Sequence, residues 1–212
     1  MTELAKLFNA ILNGDNKTAV ACTQQAISEG VQPMELITNH MIPAMSEVGR
    51  RFECEEYYVP ELLLSARAMK GALALLRPLL AASGTQPVAR VVIGTVKGDL
   101  HDIGKNLVSS MLEGGGFEVV DLGTDVTPEK FIQAIQEHQA NIVALSALLT
   151  VTMPMMKNTI EALKQASLRD RVKVMVGGAP VTREYANSIG ADGYSESATG
   201  AVAVARQLAV AS

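Results

Sequence analysis

From about residue 90 onward, short apolar runs alternate with stretches of helical periodicity, and this rhythm restricts the fold more than any other feature. The runs Val91–Thr95, Glu118–Leu122, Ile142–Ser146 and Val172–Val176 have the length and β-branched content of strands. Residues 103–113, 128–138 and 153–167 lie between them and have ordinary helical length. A shorter helix from Thr182, a weak strand near Gly193 and a last helix from about Thr199 complete the series. Strands separated by helices pair parallel, because a parallel connection needs a crossover, and the helices then cover both faces of the sheet. Ligands of such sheets bind beyond the carboxyl ends of the strands, where the strand order reverses. In a flavodoxin-like order that point falls between the first and third strands. The loops Val96–Gly104 and Ser146–Thr152 are therefore the ones expected to carry a site.

The preceding residues have a different rhythm. Thr2 can cap a helix whose apolar face is Leu4, Leu7, Phe8, Ile11 and Leu12. Asn13-Gly14-Asp15 stops it, and Asp15 or Asn16 can cap the next, which ends at Gly30. Pro33 suits the first turn of a third helix, with a kink expected at Pro43, and Pro60 opens a fourth that runs to about Leu80. The predicted organisation is a four-helix bundle over residues 1–82, a linker over 83–88 and a five-stranded flavodoxin-like (Rossmann-like) α/β domain over 89–212.

Composition removes several classes of function. Seven Lys/Arg face nine Asp/Glu in residues 1–86, and eleven face thirteen in the rest, so no basic surface for nucleic acid stands out. Cys22 and Cys54 form no CxxC pair, which argues against a thiolate metal site and fits a reducing compartment. The N-terminus is amphipathic and contains acid, unlike a signal peptide, and no apolar run approaches the ~18 residues of a membrane span. A cytoplasmic protein that needs neither nucleic acid nor membrane is expected.

The first βα loop reads Lys97-Gly98-Asp99-Leu100-His101-Asp102-Ile103-Gly104-Lys105-Asn106. It is neither GxGxxG nor a phosphate loop. It places one histidine between two carboxylates, close to a glycine. Imidazole is a good ligand for late first-row metals, and a carboxylate two residues away can take the proton of its other nitrogen. A bland reading stands beside this one, with His101 a polar loop residue and Asp102 the cap of the following helix.

Asp99-x-His101-x-x-Gly104 resembles the DxHxxG motif of cobalamin-binding domains. The longer string resembles the methyl-carrying branch, which comprises cobalamin-dependent methionine synthase and the corrinoid proteins of methanol, methylamine and aryl-ether methyltransferase systems. Ser146-Ala147-Leu148, with Thr150 and Thr152 following, matches that family's SxL element, and Gly177-Gly178 matches its GG element. The resemblance implies a corrinoid bound base-off, with His101 as the lower ligand of cobalt in place of the cofactor's own benzimidazole. It implies a relay from His101 to Asp99, extended by Thr152 where methionine synthase has a serine. Through this relay the protein can bias a cobalt that alternates between methyl-Co(III) and Co(I). It further implies contacts to the corrinoid from Gly98, Asp102, Ile103 and Gly104, and from Ser146, Leu148 and Thr150. Gly177 and Gly178 would line the groove for the nucleotide tail, and Gly193 and Tyr194 would sit near the tail's base.

The segment from Tyr57 to Lys70 resembles the start of the family's capping helix, which makes Tyr58, Leu62 and Met69 candidate lid contacts. Apolar residues at helical spacing equally suit a core. The implied function is a methyl carrier rather than a complete enzyme. Its partners would be a substrate-specific methyltransferase, a second methyltransferase acting on a folate or thiol, and a corrinoid reductive activase. A cobalamin-dependent sensor is the alternative that the same cofactor domain allows.

Overall fold

Caps and turn residues set the helices of the first part. In the computed structural model of the chain, residues 3–82 and 88–210 are described, so the Thr2 cap and residues 83–87 of the expected linker lie outside them. Helix α1 covers Glu3–Leu12 and α2 covers Asn16–Ser28. Asp15 caps α2, accepting from the Thr18 N–H at 3.0 Å. The third helix starts with Pro33 in its first turn, as α3 (Pro33–Leu36), passes through a π turn (Ile37–Met41) and continues as α4 (Ile42–Glu53). The bend expected at Pro43 takes the form of this wider turn. Pro43 has no N–H to offer the carbonyl four residues back and its ring crowds that carbonyl, and the neighbouring Ile42 N–H reaches back to Ile37 instead. Helix α5 runs over Val59–Ala82, and the buried Ser65 hydroxyl donates to the Leu12 carbonyl at the end of α1.

The second part is a five-stranded, all-parallel sheet in the order β2-β1-β3-β4-β5, flavodoxin-like as the alternation implied. Its strands are β1 (Arg90–Thr95), β2 (Glu118–Asp121), β3 (Ile142–Ser146), β4 (Lys173–Gly177) and β5 (Gly193–Tyr194). Helices α6 (Ile103–Gly114), α7 (Pro128–His138), α8 (Pro154–Gln165), α9 (Arg183–Ser188) and α10 (Ala198–Val210) alternate with them.

Alternation of side chains along each strand builds two cores. Val92, Val143, Leu145, Val174 and Val176 face Phe131, Ile135, Met156 and Ile160 of α7 and α8. Val91, Ile93, Ile142, Ala144 and Met175 face Leu112, Ala201 and Ala205 of α6 and α10. In register, Thr95 pairs with Ser146 and Ser146 with Gly177, so three strands end on one row. The loops that leave this row start at the same height.

Two compact units divide the chain: Met1–Pro87 with Glu113–Gly116, and Val88–Leu112 with Phe117–Ser212. Among the described residues no helix is long and apolar enough to cross a membrane.

Candidate functional site

The two loops that diverge from the central pair of strands carry the candidate residues, β1 and β3 being joined at their ends by the Val96 N–H, which donates to the Ser146 carbonyl at 3.0 Å. Asp99 stands between these loops, fully buried. Its Oδ1 accepts from the His101 backbone N–H at 3.1 Å and lies 2.7 Å from His101 Nδ1. Its Oδ2 accepts from the backbone N–H of Leu148 at 2.8 Å and of Leu149 at 3.2 Å. The Thr152 hydroxyl lies 2.7 Å from the same oxygen and 2.8 Å from the Leu149 carbonyl. The bond from Oδ1 to the N–H two residues on is a turn that an aspartate forms locally. The bonds from Oδ2 exist only because the sheet sets the third loop beside the first.

Burial pushes the Asp99 carboxyl up, but hydrogen bonds from Thr152, Leu148 and His101 outweigh it and hold the group well below the usual carboxylate range. An ionised Asp99 takes the Nδ1–H of His101, which fixes the tautomer and leaves the Nε2 lone pair as the available donor. The His101 side chain is 49% exposed, against 0% for Asp99. From behind, the buried Thr95 hydroxyl donates to the His101 carbonyl at 2.8 Å.

Around the imidazole the loops present apolar side chains to solvent. Leu100, Ile103 and Val151 are 73%, 85% and 79% exposed, and Leu148 and Leu149 are also exposed. Large apolar side chains gathered in this way mark a surface that something covers. A Cβ on Gly104 would meet nothing within 4 Å, so the first turn of α6 leaves open space there. Gly178 has the opposite constraint. Its φ is +135° and a Cβ would fall 1.9 Å from the Ala147 carbonyl oxygen, so only glycine lets β4's exit run against the third loop.

Several other candidates also fall on these loops. The Gly98 N–H is held by Asp125 at 2.7 Å. Asp102 accepts from the Asn106 side-chain amide at 3.1 Å. Thr150 is exposed, while Ser146 and Gly177 are half-buried at their strand ends. Gly193 and Tyr194 form β5. A Cβ on Gly193 would meet Val204 of α10 at 2.6 Å, and the ring of Tyr194 lies 5.4 Å beneath the Arg183 guanidinium. Leu62 and Met69, the two other lid candidates on α5, are fully buried. Tyr58, at 65% exposed, does have surface to offer.

Sequence reasoning missed Thr95, the Leu149 N–H and Lys105. Lys105 is buried in the first turn of α6, its Nζ 2.6 Å from Asp121 Oδ1 at the end of β2. A cation at a helix N-terminus opposes the helix dipole, and that misfit was the signal that it had an anionic partner.

Among the described residues no group of three or more His, Cys, Asp or Glu converges on a metal position. A lone imidazole holds a bare cation poorly. It suits a metal that arrives with its other ligands in place, inside a broad flat ring that the apolar rim and the open space at Gly104 can accommodate. These residues fit a corrinoid.

Comparison with known proteins agrees. Residues 89–203 match a family described as a B12 binding domain, and residues 3–77 match a second family of the same description. The dimethylamine corrinoid protein of Methanosarcina barkeri is 44% identical over 97% of this chain and 96% of its own length. A novel cobalamin-binding protein from Desulfitobacterium hafniense superposes with a TM-score of 0.78 at 32% identity, covering 97% of this chain and 98% of that one. A chain in the methanol:cobalamin methyltransferase complex of Methanosarcina barkeri superposes with a TM-score of 0.85 at 28% identity, over 99% of this chain and 80% of its own length. By motif, fold and relatives alike, this chain belongs to the B12-binding corrinoid proteins.

Proposed function

We propose that this protein carries a methyl group on a corrinoid cobalt, between a methyltransferase that takes the group from its substrate and a second one that passes it to a folate or thiol. The bound corrinoid supplies the nucleophilic metal centre on which the methyl group rides. The chain's own residues hold that centre and set its lower face. In this reading His101 Nε2 would hold the cobalt in place of the corrinoid's own base, and the groove by Ser146, Gly177 and Gly178 would take the nucleotide tail. Asp99 keeps the imidazole in the Nε2-donor tautomer, and Thr152 with the Leu148 and Leu149 N–H groups keeps Asp99 charged. The His101–Asp99 pair would be the place where the chain holds or releases a proton beside the metal.

One observation carries the reading: a buried carboxylate joins His101 on the first loop to the third loop, at the point where the strand order reverses. The related corrinoid proteins are named for dimethylamine and trimethylamine, so a methylated amine is the donor class proposed. A carrier that must be kept reduced calls for a reductive activase as a third partner and a reducing compartment, which favours the cytoplasm.

Anaerobic reconstitution with hydroxocobalamin tests the ligand assignment. Wild type should show the spectrum of a histidine-bound cobalt. His101→Ala should bind more weakly by more than the about 10–100-fold typical of losing a supporting partner. Equal uptake and equal spectra in the two proteins would sink it. Reduced holoprotein mixed with an amine methyltransferase and a methylated amine should gain the methylated spectrum, and methanol with the same partner should not produce it.

A further inference from the structure

The loop after β2 reaches over to the turn that carries Asp99 at Asp125. Its Oδ1 accepts the Gly98 N–H at 2.7 Å, and its own N–H donates to the Asp99 carbonyl at 3.0 Å. The Asp99 N–H donates to the Val96 carbonyl at 3.1 Å, so the backbone of residues 96–99 is closed on one side by its own turn and on the other by Asp125. Next to it, Val126 bridges to Val96 as a short continuation of the sheet, and its N–H donates to the Thr95 carbonyl at 2.9 Å. Asp125 has φ +53°, a left-handed conformation that side chains other than glycine adopt rarely and that aspartate and asparagine tolerate best. Such a conformation persists where the surroundings over-determine it. Here the two bonds to Gly98 and Asp99 do so.

The consequence falls on Asp99. Its carboxylate has to reach the His101 ring on its own loop and two N–H groups and a hydroxyl on the next. A fully buried side chain that spans two loops has no slack, so its Cα must be fixed from outside that set of bonds. We propose that Asp125 is a positioning residue for His101: it clamps the Gly98–Asp99 turn, and through it sets where the imidazole presents Nε2. The inference rests on the proposed cobalt ligation by His101.

Three variants separate the side-chain bond from the backbone strain. Asp125→Asn keeps an Oδ1 acceptor and tolerates the left-handed backbone. Asp125→Gly keeps the backbone conformation but removes the acceptor, and Asp125→Ala removes both. In the Co(II) form of the reconstituted protein, electron paramagnetic resonance reads nitrogen ligation directly. Wild type and Asp125→Asn should show the axial-nitrogen splitting at full share. Asp125→Gly and Asp125→Ala should show a reduced share, with corrinoid affinity lower by about tenfold. Without cofactor, amide exchange at Gly98 should be faster in the Gly and Ala variants and unchanged in the Asn variant. If Asp125→Gly, which relieves strain and so folds, keeps both the wild-type splitting and the wild-type exchange, the clamp is refuted while the ligand assignment stands. Wild type without nitrogen splitting would instead overturn the ligand assignment, and this inference with it.

Discussion

Asp99 is the residue on which the candidate site turns, and its charge is also a folding matter. Its folded pKa lies below the unfolded value of about 3.9. The stability it contributes is therefore complete above that value and is lost as pH falls through the depressed folded one. In acid denaturation followed by circular dichroism, wild type should lose stability steeply below about pH 4. Asp99→Asn should be less stable at neutral pH, because an amide nitrogen replaces one acceptor among the donors, and should show a shallower acid slope. Thr152 makes a separable contribution. Thr152→Val keeps the shape and removes the hydroxyl that donates to a charged, buried acceptor, which costs about 1.5–3 kcal/mol by denaturant titration. His101 of that variant should still bind cobalt, since the Leu148 and Leu149 N–H groups remain on Asp99.

Elements bring these residues together through strand register. Thr95, Ser146 and Gly177 share one row, so the residues that leave it, Val96, Ala147 and Gly178, start their loops side by side. Gly178 makes the closest of these approaches. In Gly178→Ala the new Cβ would meet a backbone carbonyl that cannot rotate away, so the third loop must shift. The expected result is a protein whose far-ultraviolet circular dichroism stays near wild type, with weaker corrinoid uptake, since Leu148 and Leu149 would move off Asp99. Wild-type uptake by this variant would show that the loop has another way to settle. The strand and helix positions themselves were legible in the sequence, as the β3 bounds show without any shift. The Asp15 cap was legible too, its side chain accepting from the N–H three residues on, whereas the caps Thr127 and Thr182 became plain only in the structure. The π turn before Pro43 was legible only as a disturbance, because a proline states which bond is lost and not how the chain repairs it.

For the whole molecule, cofactor binding and folding are linked. A ligand that binds the folded state alone stabilises it by about 2.7 kcal/mol at one hundred times its dissociation constant. Thermal unfolding of residues 88–210, followed by a near-ultraviolet signal, should therefore shift upward as corrinoid is added. His101→Ala should shift much less at the same concentration. An equal shift in both proteins would mean that the tail groove supplies the affinity and the axial bond little of it.

The sequence by itself determined the rhythm of the fold, the turn Asp99-x-His101 and the family to which the motifs pointed. Those features are local, set by side-chain period, turn chemistry and the residues within a few positions along the chain. Tertiary structure alone decided that the second oxygen of Asp99 also takes the Leu148 and Leu149 N–H groups, that Asp125 holds the first loop from the neighbouring one, and that Leu62 and Met69 are buried. Each of these depends on which segments lie side by side and which face of a helix is covered. The identity of a residue records its chemistry, but the partner that uses that chemistry is chosen by packing between segments 27 to 53 residues apart.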